Sequence, residues 1–174
     1  MTDADQVTKP YKCNADQLRV HLQKLAAHIP SEKLIFVCIG TDRSTGDALG
    51  PLVGTALRNK GFPRVIGTMD HPCDASNLVE RTSAIPEDAF IIAIDACLGH
   101  PSTLGQYLVT DQPLQPAASV GNNLPLIGHF SIAAVVNMNS PKPYWTLQTT
   151  SLNAVMRQAE EIAEAIVLSF HPHS

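Results

Sequence analysis

Residues 39–51 read Ile39-Gly40-Thr41-Asp42-Arg43-Ser44-Thr45-Gly46-Asp47-Ala48-Leu49-Gly50-Pro51. The stretch gathers three glycines, two aspartates, one arginine and three hydroxyls directly after the apolar run Leu34–Ile39. A second apolar run, Ala89–Ile94, ends in Asp95. In open α/β sheets, ligands bind just beyond the carboxyl ends of the strands. Two interior strands that each deliver an aspartate to one sheet edge outline a paired-acid site. Neighbouring carboxylates share a proton and split their pKa values, so that one serves as general base toward water and the other as acid.

The loop fits none of the common nucleotide or hydrolase patterns. It has no G-x-x-x-x-G-K-[ST], no G-x-G-x-x-G follows a strand, and no G-x-S-x-G elbow occurs in the chain. Asp47 stands just before an expected helix, between Gly46 and Gly50. The plain structural alternative is an N-cap, worth about 1 kcal/mol. Asp42 with Arg43 reads either as a local ion pair or as a group that orients a ligand. Asp95, at the end of a buried run, must be paired, hydrogen-bonded or bound to metal. His129, in Gly128-His129-Phe130-Ser131, is as a lone histidine more often structural. Brought together with Asp47 and Asp95, it would complete an open divalent-metal site of one nitrogen and two oxygens. An ion there would polarise a carbonyl or activate water. His71 is a weaker candidate, and His171 and His173 belong to the tail.

These residues need a scaffold, and the chain predicts one. Residues 1–13 read as a loose arm. Asn14 with Gln17 forms a capping box ahead of Leu18, Leu22, Leu25 and Ile29, with Pro30 ending the helix. Leu34–Ile39 lacks alternation, as strands covered on both faces do. Pro51 suits the first turn of a helix that runs to about Asn59, with Gly61 as its stop. Strands are expected over Arg64–Met69, Ala89–Ile94, Gln106–Thr110 and Tyr144–Thr149, and short helices over 74–83 and 131–136. Residues 111–128 read as a long loop, and Ser151–Phe170 as an amphipathic helix. The order implies a single α/β domain over residues 1–174: a three-layer α/β/α sandwich with a mostly parallel central sheet.

Composition bounds the function classes. The chain has 174 residues, 44% of them hydrophobic, and a formal net charge of −4 with no basic block. Binding nucleic acid by phosphate neutralisation is not expected. No apolar stretch nears the roughly 18 residues that span a bilayer. The start, Met1-Thr2-Asp3-Ala4-Asp5-Gln6, lacks the charge pattern of a signal peptide. The four cysteines, Cys13, Cys38, Cys73 and Cys97, form no C-x-x-C pair, which argues against a disulfide framework or structural zinc. Cytoplasmic localisation is the expectation.

The stretch Ile39–Gly54, together with Ile94-Asp-Ala-Cys-Leu-Gly99, resembles the YyaC family of sporulation proteins. The resemblance runs from about Leu34 to the final helix, through Gly67-Thr68, Leu126-Ile-Gly128, Ser131-Ile132, Val136-Asn137 and Leu147-Gln148. That family is similar to the germination protease of spore-formers and, more distantly, to the peptidases that mature hydrogenases. The germination protease resembles this chain at Asp47–Pro51 and Ala93–Ala96, and its two proposed catalytic aspartates fall on Asp47 and Asp95. In the hydrogenase peptidases the metal ligands fall on Asp47 and Asp95, and a histidine preceding a helix has its nearest counterpart in His129.

The resemblance implies a sporulation-associated peptidase acting on a protein or peptide, in the cytoplasm of a forespore or spore. Asp47 and Asp95 would be catalytic, and Asp42, Arg43, Thr45 and Gly46 would orient the substrate. No cofactor is required by this reading, although one divalent metal ion fits it. A homodimer is compatible with a domain of this size. The rival is a non-catalytic binding or regulatory protein that keeps the fold. A third reading, a small-molecule hydrolase or phosphorylase, would hold an anion with Arg43 and the helix N-terminus.

Overall fold

The computed structural model describes residues 9–116 and 124–170. Six strands form one sheet in the order β1-β5-β6-β4-β2-β3. These are β1 Tyr11–Cys13, β2 Leu34–Cys38, β3 Val65–Ile66, β4 Phe90–Gly99, β5 Tyr107–Thr110 and β6 Phe130–Met138. The ladders β2–β3, β2–β4 and β4–β6 are parallel, whereas β5 runs antiparallel to both β1 and β6. The helices are α1 Ala15–Ala26, α2 Leu49–Asn59, α3 Leu78–Thr82, α4 Pro143–Gln148 and α5 Leu152–Phe170. The expected mostly parallel sheet between helical layers is therefore the architecture found.

Alternation along the strands splits the core in two. Phe36, Cys38, Ile92, Ile94, Ile132 and Val136 pack with α1, α2 and α5 on one face. Ile35, Val37 and Ile39 pack with Cys73 and Leu78 of the α3 region on the other. The α1 capping box is complete, with Asn14 and Gln17 exchanging backbone-to-side-chain bonds of 2.9 and 3.0 Å. All four cysteines are free.

Several expectations are corrected. The supposed arm contains β1, which closes the sheet edge against β5, while residues 1–8 lie outside the described chain. Residues 131–136 form part of β6 rather than a helix, because β6 is buried between β4 and β5 and pairs with both. Residues 144–149 belong mostly to α4 rather than to a strand. Pro143 is preset for a first helical turn, and Leu147 packs on Gly46. The strand at 64–69 and the helix at 74–83 shrink to β3 and α3. The long loop is pinned by a bridge between Leu114 and Ile127, and its residues 117–123 lie outside the described chain.

The chain leaves β2 through α2 toward β3 on one side, whereas β4 feeds β5 and β6 on the other. The carboxyl ends of β2 and β4 thus form the switch point where open α/β sheets bind ligands. Here α2 approaches β2 at backbone distance. A Cβ on Gly50 would lie 2.0 Å from the Ile39 carbonyl oxygen, and one on Gly54 would lie 1.8 Å from that of Gly67. Gly50→Ala should therefore cost about 2 kcal/mol or more. A urea melt checks this, and an unchanged midpoint would contradict the contact.

Candidate functional site

The site begins where β2 stops. Ile39 N–H donates to the Ile94 carbonyl at 2.7 Å, so Ile39 and Gly40 stand beside Ile94 and Asp95 of β4. Gly40 has φ +150°, a left-handed value, and a Cβ there would fall 2.0 Å from the Asp47 carbonyl oxygen. That oxygen accepts the Thr41 N–H at 3.1 Å. The loop closes on itself in this way and returns Asp47 to the strand end that neighbours Asp95. Gly46 is covered by Leu147 of α4 at 2.9 Å from its notional Cβ. The backbones of Asp47 and Asp95 therefore share one rim.

Asp47 is half-buried and lies in a 3-10 turn, Gly46–Ala48, ahead of α2. Its side chain caps neither this turn nor α2, so the N-cap alternative does not apply. Burial pushes its carboxyl above the ordinary range, and the nearby Ser44 hydroxyl partly offsets that. The Ser44 oxygen is itself buried. Asp42 and Arg43 are exposed and unpaired with each other, and the Arg43 N–H donates to Thr41 Oγ1 at 3.3 Å.

Asp95 does not end its strand, as expected, but sits inside it, 8% exposed, because β4 continues to Gly99 alongside β6. Its Oδ1 accepts the Ala96 N–H at 2.8 Å. The β4–β6 register shifts between Cys97 and Leu98, a bulge of the kind found beside functional sites. Asp95 points to the face away from α2 and α5, where it lines a cavity of about 430 Å³ with Cys97, Thr110, Gln115, Ser131 and Asn139. Asp47 is not among the residues lining this cavity. Burial first, and then Asp95, lifts the Cys97 thiol to about 12. It stays protonated at neutral pH and is no ready nucleophile.

His129 stands elsewhere. It precedes a strand, not a helix, and its N–H bonds the Ile91 carbonyl while its Nδ1 accepts the Ile91 N–H at 3.0 Å. The ring stacks on Phe90. Four residue steps along the strand take Ile91 to Asp95, about 13 Å at roughly 3.3 Å per step. His129 is thus at the amino end of the sheet, and the Asp47–Asp95–His129 metal set is corrected. Among the described residues no three His, Cys, Asp or Glu side chains cluster as metal ligands. Sequence reasoning missed Ser131 and Thr110 as neighbours of Asp95. The β6 misreading hid Ser131, whose strand phase is the only signal that could have placed it there.

Residues 7–165 match the family described as a protein of unknown function, DUF1256. The chain belongs to this family. The DUF1256 chain is 39% identical over 160 residues to "Uncharacterized protein YyaC" of Bacillus subtilis (strain 168), covering 89% of this chain and 78% of that protein. The resemblance carried by the 39–54 loop is thereby borne out. Among solved structures, the [NiFe] hydrogenase maturation protease HycI from Thermococcus kodakarensis KOD1 aligns with a TM-score of 0.48 at 18% identity, over 77% of this chain and 92% of that one. HybD from Thermococcus kodakarensis gives 0.48 at 15% identity, over 79% and 99%. Likeness at this level carries no argument about activity.

The Asp47 shift has a sign that can be checked. A buried carboxyl holds its proton more tightly in the folded chain than in the unfolded one. Its contribution is therefore neutral below the ordinary value of about 3.9 and turns unfavourable as pH rises through the folded value. Asp47→Asn should raise Tm near pH 7 and leave it almost unchanged near pH 3. Thermal melts at both pH values test this, and a lowered Tm at neutral pH would contradict it.

Proposed function

We propose that this DUF1256 chain is a peptidase of sporulating bacteria that hydrolyses a peptide bond at the β2/β4 rim. The observation that carries the reading is a half-buried carboxyl of raised pKa, Asp47, on the same rim as the strand-borne Asp95. In this proposal Asp47 supplies a proton to the leaving amine and Asp95 draws one from the attacking water, in the division of labour that general acid–base catalysis requires. Ser131, Thr110 and Asn139 would hold the polar backbone of the substrate in the Asp95 cavity. Asp42, Arg43, Thr45 and Gly46 would orient the segment that reaches Asp47. The donors do not fit a metal on Asp47, Asp95 and His129, so no step is routed through one. The sporulation setting, in forespore or spore cytoplasm, rests on the loop resemblance. Among the described residues no helix is long and apolar enough to cross a membrane.

One observation favours the rival reading, a binding or regulatory protein: the Asp95 cavity does not include Asp47. A single assay separates the two. The purified chain is incubated with a peptide library made from a spore-former's proteins, and new termini are counted by mass spectrometry. The peptidase reading expects cleavage that falls at least about 100-fold in Asp47→Asn and in Asp95→Asn, each still folded. Absence of cleavage by the wild type, or wild-type rates in both variants, would overturn it.

A further inference from the structure

A second cavity, of about 280 Å³, opens at the β3 edge of the sheet, outside the proposed active site. Three segments build it: Thr55 and Arg58 from α2, Thr68, Asp70 and His71 from the turn after β3, and Arg81 from α3. Both arginines are held by one arm. Arg58 Nη2 donates to the Val65 carbonyl at 3.2 Å, and Arg81 Nη1 lies 3.5 Å from the Pro72 carbonyl. A guanidinium carries five N–H donors, so most of each fork remains available. Among the described residues neither arginine is within 4.0 Å of a carboxylate, and the ion pair found there joins Lys33 and Asp88.

The hydroxyls point to the same chemistry. Thr55 Oγ1 accepts the Met69 N–H at 2.9 Å, and Thr68 Oγ1 accepts the His71 N–H at 3.2 Å. Each oxygen is thereby fixed as an acceptor, and its own proton is left to donate. Asp70 is the one carboxylate on the lining, so two guanidinium charges less one leave +1 with His71 neutral, in a chain whose formal net charge is −4. Two like charges facing one hollow repel each other, and an anion between them removes that repulsion. Donors arriving from three walls suit a tetrahedral oxyanion better than a flat carboxylate, and arginine is the side chain best matched to phosphate oxygens.

We infer that this cavity binds a phosphate group through Arg58, Arg81, Thr55 and Thr68. The site goes beyond the peptidase reading and stands whether or not the chain cleaves peptides.

The test is a titration of the whole chain with inorganic phosphate at constant ionic strength, followed by the amide resonances of Thr68, His71 and Arg81. Parallel arms use acetate and phosphoserine. Saturable shifts are expected with phosphate, with acetate at least about tenfold weaker. Arg81→Gln and Arg58→Gln, checked for fold by circular dichroism, should each weaken phosphate binding at least about tenfold, while Arg19→Gln on α1 leaves it unchanged. Asp70→Asn should tighten it. Phosphoserine binding more tightly than inorganic phosphate would mark a phosphomonoester as the ligand, and the reverse order would mark the free ion. Non-saturable shifts, equal responses to acetate and phosphate, or unaltered affinity in both arginine variants would overturn the assignment.

Discussion

The structure depends on backbone meeting backbone where β2 ends. Gly40 leaves room for the Asp47 carbonyl, and Gly50 leaves room for the Ile39 carbonyl. Any side chain at either position would collide with peptide atoms rather than with a flexible neighbour. Because the contacts are made by main chain, they fix where α2 starts and where Asp47 stands, and Leu147 of α4 closes the loop from outside by packing on Gly46. The sheet supplies the other half: the Ile39–Ile94 hydrogen bond sets this loop beside Asp95. Fold and candidate site are thus one construction.

That construction treats the two aspartates differently. Asp47 is raised by burial, which the Ser44 hydroxyl partly offsets. Asp95 lines a cavity of mixed polar and apolar residues on the sheet's second face, beside a thiol whose pKa is raised. Different surroundings for two carboxyls are the usual way one fold holds an acid and a base at a single pH.

Much of this was legible in the residues. The unbroken run Leu34–Ile39 announced a doubly covered strand, Asn14 and Gln17 announced a helix start, and the heptad-like stripe after Ser151 announced α5. The loop's glycines announced close approach, and the family followed from the same loop. What failed was decided by tertiary pairing. Residues 131–136 were expected as a helix, yet two flanking ladders hold them extended. Residues 144–149 were expected as a strand, yet Pro143 and the seat on Gly46 favour the helix α4. The first error displaced His129, since a histidine before a helix and one at the amino end of a parallel strand occupy opposite rims. Asp95 was placed correctly in sequence and wrongly as a strand end, because the β4 ladder outlasts its apolar run.

The folded loop withdraws Asp47 from water and so raises its carboxyl above the ordinary range. Carboxyl-carbon NMR titration of the wild-type chain and of Asp95→Asn tests this directly. An Asp47 midpoint above the ordinary aspartate value of about 3.9 in both proteins is the predicted result. A midpoint at or below that value would contradict it, and so would a rise that vanishes when Asp95 is neutralised.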